Sequence, residues 1–87
     1  MSVRIELFGI PRHHSGTSLL EVDAQTLGDA LAAAGRKLPR LAESCLDGDR
    51  LRTGFLANVN GRIFVSDPGT PLAAGDCVLI VSSDVGG

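Results

Sequence analysis

Leu27, Ala30, Leu31 and Ala34 recur at helical spacing and draw a single apolar stripe along one stretch of the chain. Thr26 stands where an N-cap would, and Asp29 three residues on is the weaker form of a capping-box acid. A helix is therefore expected from Leu27, ending at Gly35 or in the segment before Pro39. Such a stripe must lie on another apolar surface, and the alanine run suits close packing on a sheet. The flanking sequence supplies the strands. Val3, Ile5 and Leu7 alternate with Arg4, Glu6 and Phe8, the period of a half-buried strand. Leu19 to Val22 reads as its hairpin partner, with a turn or loop over Pro11 to Thr17 between them.

Beyond the main helix, Pro39 to Leu46 is expected to form a second, shorter helical segment, with Gly48 after its end. Phe55 to Val59 reads as a strand, Asn60-Gly61 as a hairpin turn and Arg62 to Val65 as the partner strand. Turns at Asp67-Pro68-Gly69 and Ala74-Gly75-Asp76 lead to Cys77–Val81, a strand apolar without interruption. Strands with helix segregated to one face make an α+β roll.

With 87 residues the chain is one small domain. Its 44% hydrophobic content marks it as globular, not a disordered tail. Net charge is −2 with scattered basic residues, and the Phe, Tyr and Trp content is Phe8, Phe55 and Phe64 alone. That excludes an electrostatic footprint and a stacking platform for nucleic acid. No apolar run approaches a membrane span, and no secretory signal pattern opens the chain, so cytoplasm is the default. Cys45 and Cys77 are too few for a disulfide framework and are expected to be reduced and packed as small hydrophobes. His13 and His14 point in different directions and lack further ligands, so a solvated loop is expected there and no metal site. Arg36, Lys37 and Arg40 read as a solvated helix end in preference to a patch for an acidic partner. Asp47, Asp49, Arg50 and Arg52 read as a mixed-charge loop.

Gly86-Gly87 bears on function. Glycine has no Cβ, so a Gly-Gly pair threads a narrow channel and leaves its carbonyl open to attack. Its context is specific. Leu7-Phe8 and Pro11-Arg12 precede a Gly16-containing turn, and Thr26-Leu27-Gly28-Asp29-Ala30-Leu31 opens the helix. Pro39 and Leu41 begin the second segment, and Val59-Asn60-Gly61 makes the central hairpin. Leu72-Ala73-Ala74-Gly75-Asp76 runs into the last strand. In order, spacing and ending, over nearly its whole length, the chain resembles the ubiquitin-like sulfur-carrier family of MoaD and ThiS, and MoaD more closely. The departure is Ser82-Ser83-Asp84-Val85, where many MoaD-like proteins carry two prolines and a valine. Losing proline removes the fixed φ that stiffens an extended tail.

The resemblance implies a ubiquitin-like β-grasp roll: a mixed four- to five-stranded sheet, one main helix on one face and a short second helix. It places a β-grasp domain over residues 1–81 and a flexible tail over 82–87. It implies a protein co-substrate, not an enzyme. The Gly87 carboxylate would be adenylated by a ubiquitin-activating-type enzyme of the MoeB or ThiF kind, then converted to a thiocarboxylate. ATP and a sulfur donor, such as a cysteine desulfurase or a rhodanese, would act through that partner, with no cofactor bound by this chain. Gly86, Val85 and Asp84 would thread the channel, and six extended residues reach about 20 Å. A large MoaE-like synthase subunit is the further partner if the product is molybdopterin, the first expectation. Thiamine, cysteine or another thio-metabolite stays open, as does protein modification through Gly87. Along the last strand, Cys77, Leu79 and Val81 point opposite to Val78 and Ile80. Leu79 and Val81, with Phe8, are thus candidates for a partner-docking patch, the alternative being cover by the short second helix.

Overall fold

The computed structural model describes residues 2–83. Asp84, Val85, Gly86 and Gly87, the four residues assigned above to threading and transfer, lie outside the described residues. The chain runs β1 (Ser2–Leu7), α1 (Ile10–Ser15), β2 (Leu19–Asp23), α2 (Leu27–Lys37), α3 (Pro39–Cys45), β3 (Leu46–Asp47), β4 (Arg50–Leu51), β5 (Phe55–Val59), β6 (Ile63–Val65) and β7 (Cys77–Ser82). Five strands form one sheet in the order β2-β1-β7-β5-β6. The central β1–β7 pair is parallel and its neighbours are antiparallel, so the sheet is mixed.

Alternation along the strands sends one set of side chains inward. Val3, Ile5 and Leu7 of β1, Ala57 of β5, and Val78 and Ile80 of β7 are buried. They meet Leu27, Ala30, Leu31 and Ala34 of α2 and Leu41 and Cys45 of α3 in one core. Thr26 caps α2 through Oγ1, which accepts from Asp29 N–H at 3.1 Å, and the Asp29 carboxylate accepts from Gln25 N–H at 3.4 Å. The helix continues past Gly35, which lies against α3: a Cβ there would sit 3.2 Å from Leu46 Cδ1 and 3.4 Å from Ala42 Cβ. It ends at Leu38, before Pro39.

Several local readings change. The segment expected to be a turn holds α1, with Pro11 buried in its first turn and Gly16 left-handed at its C-cap, donating to Arg12 O. Proline in a first turn and glycine just past the last are helix boundaries as well as turn residues, and the four positions between Pro11 and Gly16 leave room for a turn of helix. The β1–β2 pair is antiparallel as expected, but a helix joins its strands. Part of the mixed-charge loop is a two-stranded ribbon, β3–β4, closed around Gly48 at φ 66°.

The Asn60-Gly61 turn forms with both residues at positive φ, and Arg62 N–H donates to Val59 O at 3.0 Å. Pairing resumes at Val59↔Ile63, so Arg62 belongs to the connection and not to β6. Asn60 also joins two distant motifs. Its Nδ2 donates to Asp76 Oδ1 at 2.9 Å and its Oδ1 accepts from Cys77 N–H at 2.8 Å. Asp76 Oδ2 in turn accepts from Ala73 N–H at 2.8 Å. The Ala73 N–H first, and the Asn60 amide second, hold the Asp76 carboxyl below its ordinary value. Asn60→Ala is expected to cost about 1–2 kcal/mol, because it removes two side-chain bonds and the residue that accepts left-handed backbone. The sign for Asp76 follows from its lowered folded pKa: its contribution is present above about pH 4, the unfolded value, and is lost as pH falls through the lower folded value. Thermal melts across the acid range should show that loss in the wild type and lack it in Asp76→Asn.

Candidate functional site

The strand that leads to the Gly-Gly pair is held at the centre of the sheet. β7 pairs with β1 through Arg4↔Cys77 to Leu7↔Ile80 and with β5 through Phe55↔Ser82 to Val59↔Val78. It runs one residue further than expected. Ser82, the first residue of the expected tail, is buried in the ladder, and Ser83 N–H donates to Gly54 O at 2.8 Å. The chain therefore leaves the sheet beside the β5 start on one side and Phe8, whose N–H donates to Ile80 O at 3.2 Å, on the other.

The face of β7 turned away from the helices carries the expected docking residues. Leu79 and Val81 are half-buried there, in register with Asn58 and Leu56 of β5. Asn58 is in turn opposite Phe64 of β6. Leu56, Phe64, Leu79 and Val81, completed by Asn58, Gly61, Ser82 and Ser83, line a groove of about 340 Å³. Phe64 is 63% exposed and Leu56 39%, an arrangement that leaves large apolar side chains in water beside the tail's point of departure. Asn58 is buried, and its Oδ1 has no hydrogen-bond partner among the described residues. Phe8 is exposed at the end of β1 but lines a different concavity, with Gly9, Arg12, His13 and Gly16, so it flanks the groove without forming it.

Sequence reasoning named Leu79 and Val81 and missed Leu56 and Phe64. The signal for Phe64 was available: Ile63-Phe64-Val65 is an unbroken apolar run, and on this edge strand both Ile63 and Phe64 are left exposed. Cys77 lies on the outer face near Glu6, and burial first, then the Glu6 charge, pushes its thiol up, away from the reactive thiolate. Cys45 is buried in the core, where burial likewise raises it. His13 and His14 sit in α1 with ring centroids 6.0 Å apart. Among the described residues no helix is long and apolar enough to cross a membrane.

No protein-family model matches the sequence, and no curated protein matches it. Solved structures do. Small archaeal modifier protein 1 from Haloferax volcanii is 27% identical, with 100% of each chain covered and a TM-score of 0.82. The BexX/CysO complex from Amycolatopsis orientalis contains a chain 18% identical, covering 98% of this chain and 99% of its own, with a TM-score of 0.79. The complex of subunits 1 and 2 of molybdopterin-converting factor from Helicobacter pylori 26695 contains one 21% identical over 100% of both, with a TM-score of 0.69. Full-length agreement with the first of these joins the ordered motifs of the sequence on one fold. The chain is similar over its whole length to a solved ubiquitin-like modifier protein, which supports the resemblance to MoaD/ThiS sulfur carriers drawn from its motifs. The two remaining structures, at lower identity, share the β-grasp fold. The expected β-grasp roll is present, with its mixed five-stranded sheet, main helix and short later helix. α1 is an additional element, inserted between β1 and β2.

Proposed function

We propose that this chain is a sulfur carrier, acting as a protein co-substrate whose Gly87 carboxylate is the reacting group. A carboxylate is a poor electrophile, because its charge repels nucleophiles and oxide leaves badly. Transfer of AMP from ATP, with release of pyrophosphate, makes a mixed anhydride. A persulfide sulfur then displaces AMP to give an acyl disulfide, and a second thiol attacks the donor's sulfur, forming a disulfide with it and releasing the thiocarboxylate. The adenylating partner would be a MoeB- or ThiF-like enzyme, and the persulfide would come from a cysteine desulfurase or rhodanese. One observation carries the reading. A MoaD/ThiS-type fold directs its central strand to Ser82, with Gly86-Gly87 a few residues on and an apolar groove beside the exit. Leu79 and Val81, joined by Leu56 and Phe64, would seat on the activating enzyme, while Asp84 to Gly86 thread its channel. Molybdopterin synthesis, with a MoaE-like large subunit as second partner, is the pathway we put first. The Helicobacter pylori structure, in which a chain of this fold is complexed with subunit 2 of molybdopterin-converting factor, supports it.

The test is the intact mass of the protein after incubation with ATP, the host's activating enzyme and a persulfide donor. One oxygen replaced by sulfur, absent when Gly87 is deleted, is expected. An unchanged mass beside an activating enzyme shown to be competent would overturn the proposal. A second reading, attachment of Gly87 to lysines of other proteins, is favoured by the name of the Haloferax volcanii relative, a small archaeal modifier. Isopeptide conjugates in a native lysate would distinguish it. Lys37 is the one lysine of this chain, and its Nζ donates to Glu21 O at 3.0 Å, so chains built on it would sacrifice that bond.

A further inference from the structure

Helices α1 and α3 lie against each other and bring Arg12, His13, His14 and Arg40 onto one surface. His13, His14, Arg40, Glu43 and Ser44 line a shallow concavity of about 360 Å³, and His13 continues into the neighbouring one that holds Arg12 and Phe8. Glu43 is the single acid in either lining. Among the described residues neither guanidinium has a carboxylate within ion-pair distance or a hydrogen-bond acceptor. The charge is polarised beyond the concavity as well. Residues 9–18 and 30–46 hold Arg12, Arg36, Lys37 and Arg40 against Glu43 alone, in a chain of net charge −2. A local positive field on a net-acidic protein attracts and orients acidic partners.

The topology places this surface beside the tail exit. β1 and β7 are parallel, so Phe8 and Gly9, from which α1 begins, sit at the same end of the sheet as Ser82. We propose that the α1–α3 surface docks an acidic protein segment, through Arg12 and Arg40, independently of the apolar groove on the sheet's outer face. Guanidinium forks pair with carboxylates in bidentate geometry, and neither Arg12 nor Arg40 is engaged among the described residues. Two guanidinium groups are too few for salt-tolerant binding of a phosphate backbone. The inference goes beyond the sulfur-carrier reading and does not depend on chemistry at Gly87.

The experiment is a titration of the isotope-labelled protein with a short poly-glutamate peptide, followed by amide chemical shifts. Shifts concentrated at Arg12–Gly16 and Arg40–Ser44 and fading with added salt are expected. Arg12→Gln and Arg40→Gln should each weaken binding about two- to fivefold, with the amides of β1, β5 and β7 unmoved. Equal binding of a poly-glutamine peptide would overturn the proposal. So would unchanged affinity in both variants, shifts centred on Arg50, Arg52 or Arg62, or tighter binding of a single-stranded oligonucleotide of matched length. Because the probe is a peptide, a negative result leaves the mass-shift test of the carrier reading untouched.

Discussion

Leu79→Arg is expected to leave the protein folded and to weaken its binding to the proposed activating enzyme by about 30-fold or more, the range of an interface hot spot. Leu79 sits mid-strand on the outer face, half-buried, where a guanidinium can reach water. Its cross-strand neighbours are Glu6 and Asn58, so arginine gains an opposite charge to pair with, whereas aspartate would face Glu6. A desolvated apolar interface over Leu56, Phe64 and Val81 would not accept that charge. Phe64→Ser on the edge strand tests the same surface from its most exposed member. Titration calorimetry against the activating enzyme, with thermal melts as control, checks both. Retained affinity in both variants, with normal melts, would remove the groove from the interface.

One residue further on, the expected effect reverses. Ile80→Ala should destabilise the protein by about 2–5 kcal/mol, the range for deleting buried aliphatic groups. Ile80 is fully buried, between Leu7 on the parallel side and Ala57 on the antiparallel side. Domains of this size have about 5–15 kcal/mol of stability, so the loss takes a large part of the total. Urea unfolding measures it directly. Binding of the residual folded fraction to the activating enzyme should be unchanged, because position 80 faces the core. A loss below about 1 kcal/mol would mean that the core relaxes around the vacancy.

This contrast is legible in the sequence alone. The period of two along Cys77 to Val81 assigns Leu79 and Ile80 to opposite faces, and the uninterrupted apolar run requires both faces to be dry or waiting for a partner. Likewise Thr26 and Asp29 marked the start of α2, and of its two expected ends the one before Pro39 holds and Gly35 does not, because caps and proline act through their immediate neighbours. Helix α1 was missed because the same short list of residues punctuates turns and helix ends. Arg62 was placed one element too far because the hairpin's register depends on Asn60 N–H turning to Cys77 O, a contact with another strand.

By itself, then, the sequence determined whatever a residue settles with neighbours a few positions away. That covers strand faces, caps, the left-handed Asn60-Gly61 turn and the ordered motifs that carry the resemblance to ubiquitin-like sulfur carriers. The tertiary structure decided what needs distant segments side by side. It joined Leu79 and Val81 to Leu56 and Phe64 in one groove, set Phe8 beside that groove, and gathered Arg12 and Arg40 from two helices. The reason is physical. A dihedral preference or a cap is fixed within one turn of chain, whereas a binding surface is the sum of strand order and register, and these are chosen only when the whole core packs.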